Sequence, residues 1–137
     1  MGARYRTQAI NSDGGDGRAH VPGGLDVAVA SPLGTNVEAG TNPEQLLALA
    51  WSTCLNATAQ VIVAGARRTS VRVEVELHQS EPGPGYEFHV DAYLSAEGAT
   101  HAQAEEILTA AHARCPVSKL LSGSATVHTH VEDFTGQ

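Results

Sequence analysis

The chain has 137 residues, 42% of them hydrophobic but only 4% aromatic, which suits one domain, 1–137, with a core built from Val, Leu, Ile and Ala. Its formal net charge is −7, from 15 acidic against 8 basic residues, and beyond Arg67-Arg68 the cations do not cluster, so a nucleic-acid surface is disfavoured. The most apolar run is interrupted by Ser52, Thr53, Asn56, Thr58 and Gln60, and the start lacks the apolar segment of a secretory signal, so the expectation is a cytoplasmic protein with no membrane partner.

From Ala3 to Ile10 polar and apolar residues mix as in a first strand. Turn formers then cluster at Asn11-Ser12-Asp13-Gly14-Gly15-Asp16-Gly17, just before Arg18. Pro22-Gly23-Gly24 turns the chain again, and Leu25 to Ala30 alternates as a half-buried strand, which predicts a small amino-terminal antiparallel sheet. A loop over Ser31 to Ala39 leads to Gly40-Thr41-Asn42-Pro43-Glu44-Gln45-Leu46. This run reads as a helix start: Asn42 caps, Pro43 fits the first helical position because its missing N–H would be unpaired there, and Gln45 can close a capping box. The apolar stretch from Leu46 to Ala64 predicts a helix that stops at Gly65 and carries Cys54 near its middle.

Beyond Gly65 the period changes to two. Val71, Val73, Val75 and Leu77 alternate with charged neighbours, Glu81 to Gly85 turns the chain, and Tyr86 to Leu94 resumes the alternation, giving a hairpin with one buried face. Thr100 and Gln103 form a second capping box, and Ala104, Ile107, Leu108, Ala111 and Cys115 then fall on one helical stripe. Cys115 is thus expected in the last turn before Pro116. Val117 to Ser122 predicts one more helical turn, and Ala125 to Val131 a last strand, with His128 and His130 facing outward. The class is α+β, and the first helix is apolar nearly all round, which points to burial against a second subunit.

Two cysteines in such a chain have several readings: buried core thiols, part of a metal site, or a redox pair. A peroxide-reducing cysteine must ionise and gains from a second thiol that traps its sulfenic acid. Arg18, beside a glycine-rich turn whose mobility would let a guanidinium fold over a site, could favour the thiolate. Glu44 could hold that guanidinium in a fork-to-fork pair. The ordinary alternatives are a solvated Arg18 and a Glu44 that complements the helix dipole. Seven histidines are present, and His112, three residues before Cys115, could join both cysteines in a three-ligand zinc site that lacks an apparent fourth ligand.

The run GTNPEQL (40–46) leading to Cys54, CPVS (115–118) after a second helix, and GGDGRA (14–19) before GLDV (24–27) resemble the OsmC/Ohr family of thiol peroxidases, in particular its organic hydroperoxide resistance (Ohr) branch. The resemblance implies an intertwined homodimer in which antiparallel sheets wrap two central helices. It implies Cys54 as the peroxidatic cysteine, Cys115 as the resolving one, Arg18 as the thiolate's partner and Glu44 as the holder of Arg18. It also implies organic hydroperoxides, fatty acid hydroperoxides among them, as substrates and a dithiol reductant, a lipoylated protein, with no cofactor and no metal. Leu47, Trp51, Leu55 and Leu121 would suit an apolar peroxide tail, although for each of them a core role is the first reading. AWSTCLNA (50–57) departs from the run expected around the first cysteine, and CPVSKLLSG (115–123) is closer to the OsmC branch. An OsmC-type peroxidase of broader specificity and a non-catalytic dimer that binds an apolar ligand or senses oxidants are the alternatives.

Overall fold

The computed structural model describes residues 2–136 and divides after Leu46 into two units, each with its own three-stranded sheet. In the first unit the antiparallel order is β1 (Ile10–Asn11), β2 (Gly17–His20), β3 (Asp26–Val29). The strand predicted from Ala3 does not form before Ile10. Its apolar side chains find no packed face: Tyr5 stays 81% exposed, and a strand without a packed face or a paired edge has little to hold it.

The glycine-rich turn is pinned by its own side chains. Asn11 Oδ1 accepts from the backbone N–H of Asp13 and Gly14 (3.1 and 2.7 Å), and Asp13 Oδ2 accepts from that of Arg18 (2.9 Å). Asp16 Oδ1 accepts from Ser31 N–H at 3.1 Å. Gly17 is required here: its φ is +142°, and a Cβ would sit 2.5 Å from the Asp13 carboxylate. A single 3₁₀ turn, Val37–Ala39, interrupts the expected loop. Thr41 then returns alongside β3, donating to Ala28 O and accepting from Ala30 N–H, both at 2.9 Å. Gly40 makes this approach feasible, since a Cβ there would lie 2.6 Å from the Ala28 carbonyl.

Helix α1 runs Pro43–Val63, with Asn42 Oδ1 accepting from Gln45 N–H at 2.8 Å as a cap. Gln45 does not close the box on Asn42. Its side chain bonds Thr41 Oγ1 at 2.8 Å instead. By length and composition alone this 21-residue helix could cross a membrane, which its polar interruptions did not suggest. Some of those polar groups bond protein: Asn56 Oδ1 accepts from Thr69 Oγ1 at 2.8 Å, and Thr58 Oγ1 donates to the Cys54 carbonyl at 3.0 Å.

The remainder of the second unit is the hairpin β4 (Thr69–Gln79) and β5 (Tyr86–Ala96), helices α2 (His101–Arg114) and α3 (Pro116–Leu121), and β6 (Val127–Val131). Thr100 and Gln103 form the full capping box of α2. β4 and β5 pair antiparallel over eleven residues each, but β6 joins β5 in parallel, so this sheet is mixed rather than antiparallel throughout. The reason is the connection: a crossover through α2 and α3 returns the chain in the same direction. On the polar face Arg72 lies 4.2 Å over the Tyr93 ring and bonds Glu74 and Glu132. His130 stacks on Tyr93 and bonds Asp91 at 2.7 Å, while His128 stays exposed.

The core of this unit joins Trp51, Leu55 and Ala59 of α1, Val90, Ala92 and Leu94 of β5, Leu108 and Ala111 of α2, and Cys115. Leu94 is fully buried at its centre. Leu94→Ala is expected to cost about 2–5 kcal/mol by removing buried methyl groups and leaving a cavity. Urea denaturation at fixed protein concentration checks it, and a loss under about 0.5 kcal/mol would contradict the packing described.

Candidate active site: the Cys54–Cys115 pair

Cys54 lies three residues, nearly one turn, beyond Trp51 on α1. Cys115 is not in the last turn of α2. It is the hinge residue between α2 and α3, ending one helix and capping the next. Pro116 dictates this, because a residue before proline is pushed out of helical backbone; Cys115 has φ −67° and ψ 123°. The Cys115 sulfur accepts the Ser118 N–H at 3.4 Å.

The fold makes Cys115 and the Val117 backbone N–H near neighbours of the Cys54 sulfur, and both thiols are free. Cys54 is partly accessible and Cys115 fully buried. Burial pushes the Cys54 thiol above its ordinary value, and the neighbouring Cys115 adds to the rise. The Val117 N–H pulls the other way but does not reverse it. With these neighbours the protonated thiol is the favoured form.

A buried hydrogen bond braces the pair. The Trp51 indole N–H donates to Ser118 Oγ at 2.9 Å, joining residues 67 apart in sequence. Trp51 and Ser118 are both buried, and leaving either group unpaired would cost about 1–3 kcal/mol. Neither residue type carries a sequence signal for this contact; only the apolar stripe of α1 hints that Trp51 points inward. The His112 ring lies 6.4 Å from that of Trp51, and its buried Nδ1 has no hydrogen-bond partner. Among the described residues no group of three or more His, Cys, Asp or Glu side chains is placed to hold a metal ion, so His112 and the cysteines do not assemble the three-ligand set weighed above.

Arg18 and Glu44 belong to the first unit. Arg18 Nε donates to Asp26 Oδ1 at 2.9 Å across β2 and β3, and among the described residues no ion pair joins it to Glu44. Asp26 is therefore a partner that sequence reasoning missed, although two facing strands of opposite charge were its available signal. Glu44 occupies the first turn of α1, where a carboxylate complements the dipole. Of the four apolar residues considered for a substrate tail, Trp51 and Leu55 are fully buried in the core and have no surface to offer a ligand. Leu47 and Leu121 are half-buried at its edge.

An accessible thiol beside a buried one, braced at the junction of α1, α2 and α3, defines a dithiol protein of α+β class. The pattern of the OsmC-like protein family matches residues 34–130, which include both cysteines and Glu44 while Arg18 precedes them, and the chain belongs to that family. It is 33% identical over 113 residues to the organic hydroperoxide resistance protein OhrA of Bacillus subtilis, covering 80% of each chain. It is 31% identical over 138 residues to organic hydroperoxide resistance protein-like 1 of Staphylococcus saprophyticus, covering 96% of this chain and 97% of the relative. Among solved structures, a putative redox protein from Lactobacillus casei superposes with a TM-score of 0.87 at 34% identity, covering 99% of this chain and 96% of that one.

Proposed function

We propose that the protein is a two-cysteine peroxidase that reduces organic hydroperoxides, fatty acid hydroperoxides included, to alcohols. The observation that carries this reading is the proximity of a reachable Cys54 to a buried Cys115. Relatives named for organic hydroperoxide resistance support the substrate class. The Cys54 thiolate attacks the distal peroxide oxygen, the O–O bond breaks, and the alkoxide leaves as alcohol after taking a proton, so that sulfur is oxidised and peroxide reduced. Cys115 then attacks the Cys54 sulfenic acid. The S–O bond breaks, water leaves with the Cys115 proton, and an intramolecular disulfide remains. A dithiol, a lipoyl group on a partner protein, reduces it by exchange and is itself oxidised to a cyclic disulfide.

In this reading Arg18 exchanges Asp26 for the Cys54 thiolate, and Glu44 holds it there. The exposed Arg18–Asp26 pair, with side chains 59% and 57% accessible, contributes about 0–1 kcal/mol at most, so its release is inexpensive. Leu47 and Leu121 would meet the peroxide's apolar tail. The working molecule is a cytoplasmic homodimer in which both units of residues 1–137 act as one domain; the exposed Leu46, Leu49 and Val61 of α1 are the apolar surface a second copy would cover.

The test is hydroperoxide consumption by the wild-type protein with dihydrolipoamide or glutathione as reductant. Cumene and tert-butyl hydroperoxide are expected to turn over at least about tenfold faster than hydrogen peroxide, an apolar tail being worth one or two kcal/mol. Dihydrolipoamide is expected to outperform glutathione. Equal rates on all peroxides would remove the organic preference, and no turnover with any dithiol would leave a non-catalytic dimer.

A further inference from the structure

We infer that Trp51 and Ser118 are positioning residues for disulfide formation, a latch that holds the start of α3 against α1 so that Cys115 stays aligned with Cys54. The inference rests on the two-cysteine reading above but concerns its second step alone. The geometry is continuous. Trp51 stands three residues before Cys54 on the same helix, and its indole N–H donates to Ser118 Oγ at 2.9 Å. The Ser118 N–H in turn donates to the Cys115 sulfur at 3.4 Å, and the N–H of the intervening Val117 reaches the Cys54 sulfur. Residues 117 and 118 thus each present an N–H to a different one of the two sulfurs, and the side chain of 118 is the anchor that fixes them to α1.

Trp51, Ser118 and Cys115 are all essentially without solvent access, so no water can substitute for the indole N–H if it is removed. α3 has only six residues and follows a proline-defined hinge, which gives it little stiffness of its own. Without the latch, the hinge at Cys115 is free to rotate the sulfur away from the line of attack.

In the step concerned, the Cys115 sulfur must approach the Cys54 sulfenic acid opposite the departing oxygen. One S–S bond forms, one S–O bond breaks, and the Cys115 proton leaves in water. Such a displacement is sensitive to alignment, and misplacement by about 1 Å costs up to about a hundredfold in rate. The attack of Cys54 on peroxide involves only one of the sulfurs and depends on the latch far less. Loss of the latch therefore changes the ratio between the two steps, which a loss of stability alone does not.

The experiment compares wild type, Ser118→Ala, Trp51→Phe, their double variant and Ser118→Thr. Rapid acid quench and mass spectrometry follow Cys54 sulfenic acid, disulfide and sulfinic acid after one equivalent of cumene hydroperoxide. Equilibration with reduced and oxidised glutathione gives the equilibrium constant of the Cys54–Cys115 disulfide. Ser118→Ala and Trp51→Phe are each expected to slow disulfide formation about tenfold relative to sulfenic acid formation, and to lower the glutathione equilibrium constant by a similar factor. Sulfinic acid then accumulates at Cys54. The double variant is expected to match the single ones, because both remove the same link, and Ser118→Thr, which keeps the hydroxyl, is expected to recover most of the rate.

Wild-type ratios and equilibrium constants in Ser118→Ala and Trp51→Phe would overturn the latch, as would additive losses in the double variant. If Trp51→Phe does not fold, Ser118→Ala against Ser118→Thr decides by the same criteria. The glutathione equilibrium needs no peroxide. A wild type that forms the disulfide there but consumes no hydroperoxide therefore removes the peroxidase reading alone, whereas normal turnover with an unperturbed disulfide in the variants removes the latch alone.

Discussion

Cys54→Ser is expected to abolish organic hydroperoxide turnover, lowering it by about 10³-fold or more, the scale on which loss of a covalent nucleophile acts. Serine keeps the size and the helix, so the core around Trp51 and Leu55 stays packed and circular dichroism should not change. Cys115→Ser is expected to behave differently. Its first equivalent of peroxide is still reduced at Cys54, but the sulfenic acid finds no partner, and further peroxide drives it to the sulfinic acid, seen as a mass gain of two oxygens. The contrast follows from the burial of the two sulfurs: Cys54 can be reached from solvent and Cys115 cannot. A binding or sensing dimer predicts no turnover in the wild type to lose. Unchanged turnover in Cys54→Ser would remove Cys54 as the nucleophile.

The elements whose physics is local were legible before the structure. Asn42 and the Thr100–Gln103 box mark helix starts because capping is decided within four residues, and the hairpin of β4 and β5 is written in the alternation of Val71 to Leu77 and Tyr86 to Leu94. What failed was non-local. Ala3 to Ile10 alternates acceptably for a strand, yet a strand needs a partner, and pairing begins only at Ile10. The direction of β6 is set by the crossover through α2 and α3, which no period in Ala125 to Val131 encodes. At the site, the two cysteines were recognisable as residue types, but their proximity depends on the hinge that Pro116 makes at Cys115. The Trp51–Ser118 bond spans 67 positions and was invisible, as was the preference of Arg18 for Asp26 over Glu44. The glycine-rich turn read as mobile from its composition, whereas Asn11, Asp13 and Asp16 spend their side chains holding it. Turn formers stabilise a turn as readily as they loosen one.

Arg18→Ala is expected to raise the Cys54 pKa and to slow peroxide reduction at pH 7 by about ten- to a hundredfold, one tenfold step for each unit by which the thiolate is disfavoured. Burial and Cys115 push the Cys54 thiol up, and the Val117 N–H opposes them without reversing the shift, so a nearby cation is what a reactive Cys54 at neutral pH requires. Iodoacetamide alkylation against pH, followed at Cys54 by mass spectrometry in a Cys115→Ser background, reads the ionisation directly. Wild type is expected to titrate below the ordinary thiol range and Arg18→Ala above it. The sign gives a second readout: because the variant's thiol ionises only at higher pH, its peroxidase rate should climb with pH and approach the wild-type plateau. Arg18→Lys retains the charge but not the two-pronged donor, so it should preserve much of the pKa while recovering less of the rate if the guanidinium also orients the peroxide. Asp26→Asn, which frees Arg18 from its exposed partner, is expected to move the Cys54 titration down, not up. Identical titrations in wild type and Arg18→Ala would show that the cation which ionises Cys54 is not Arg18.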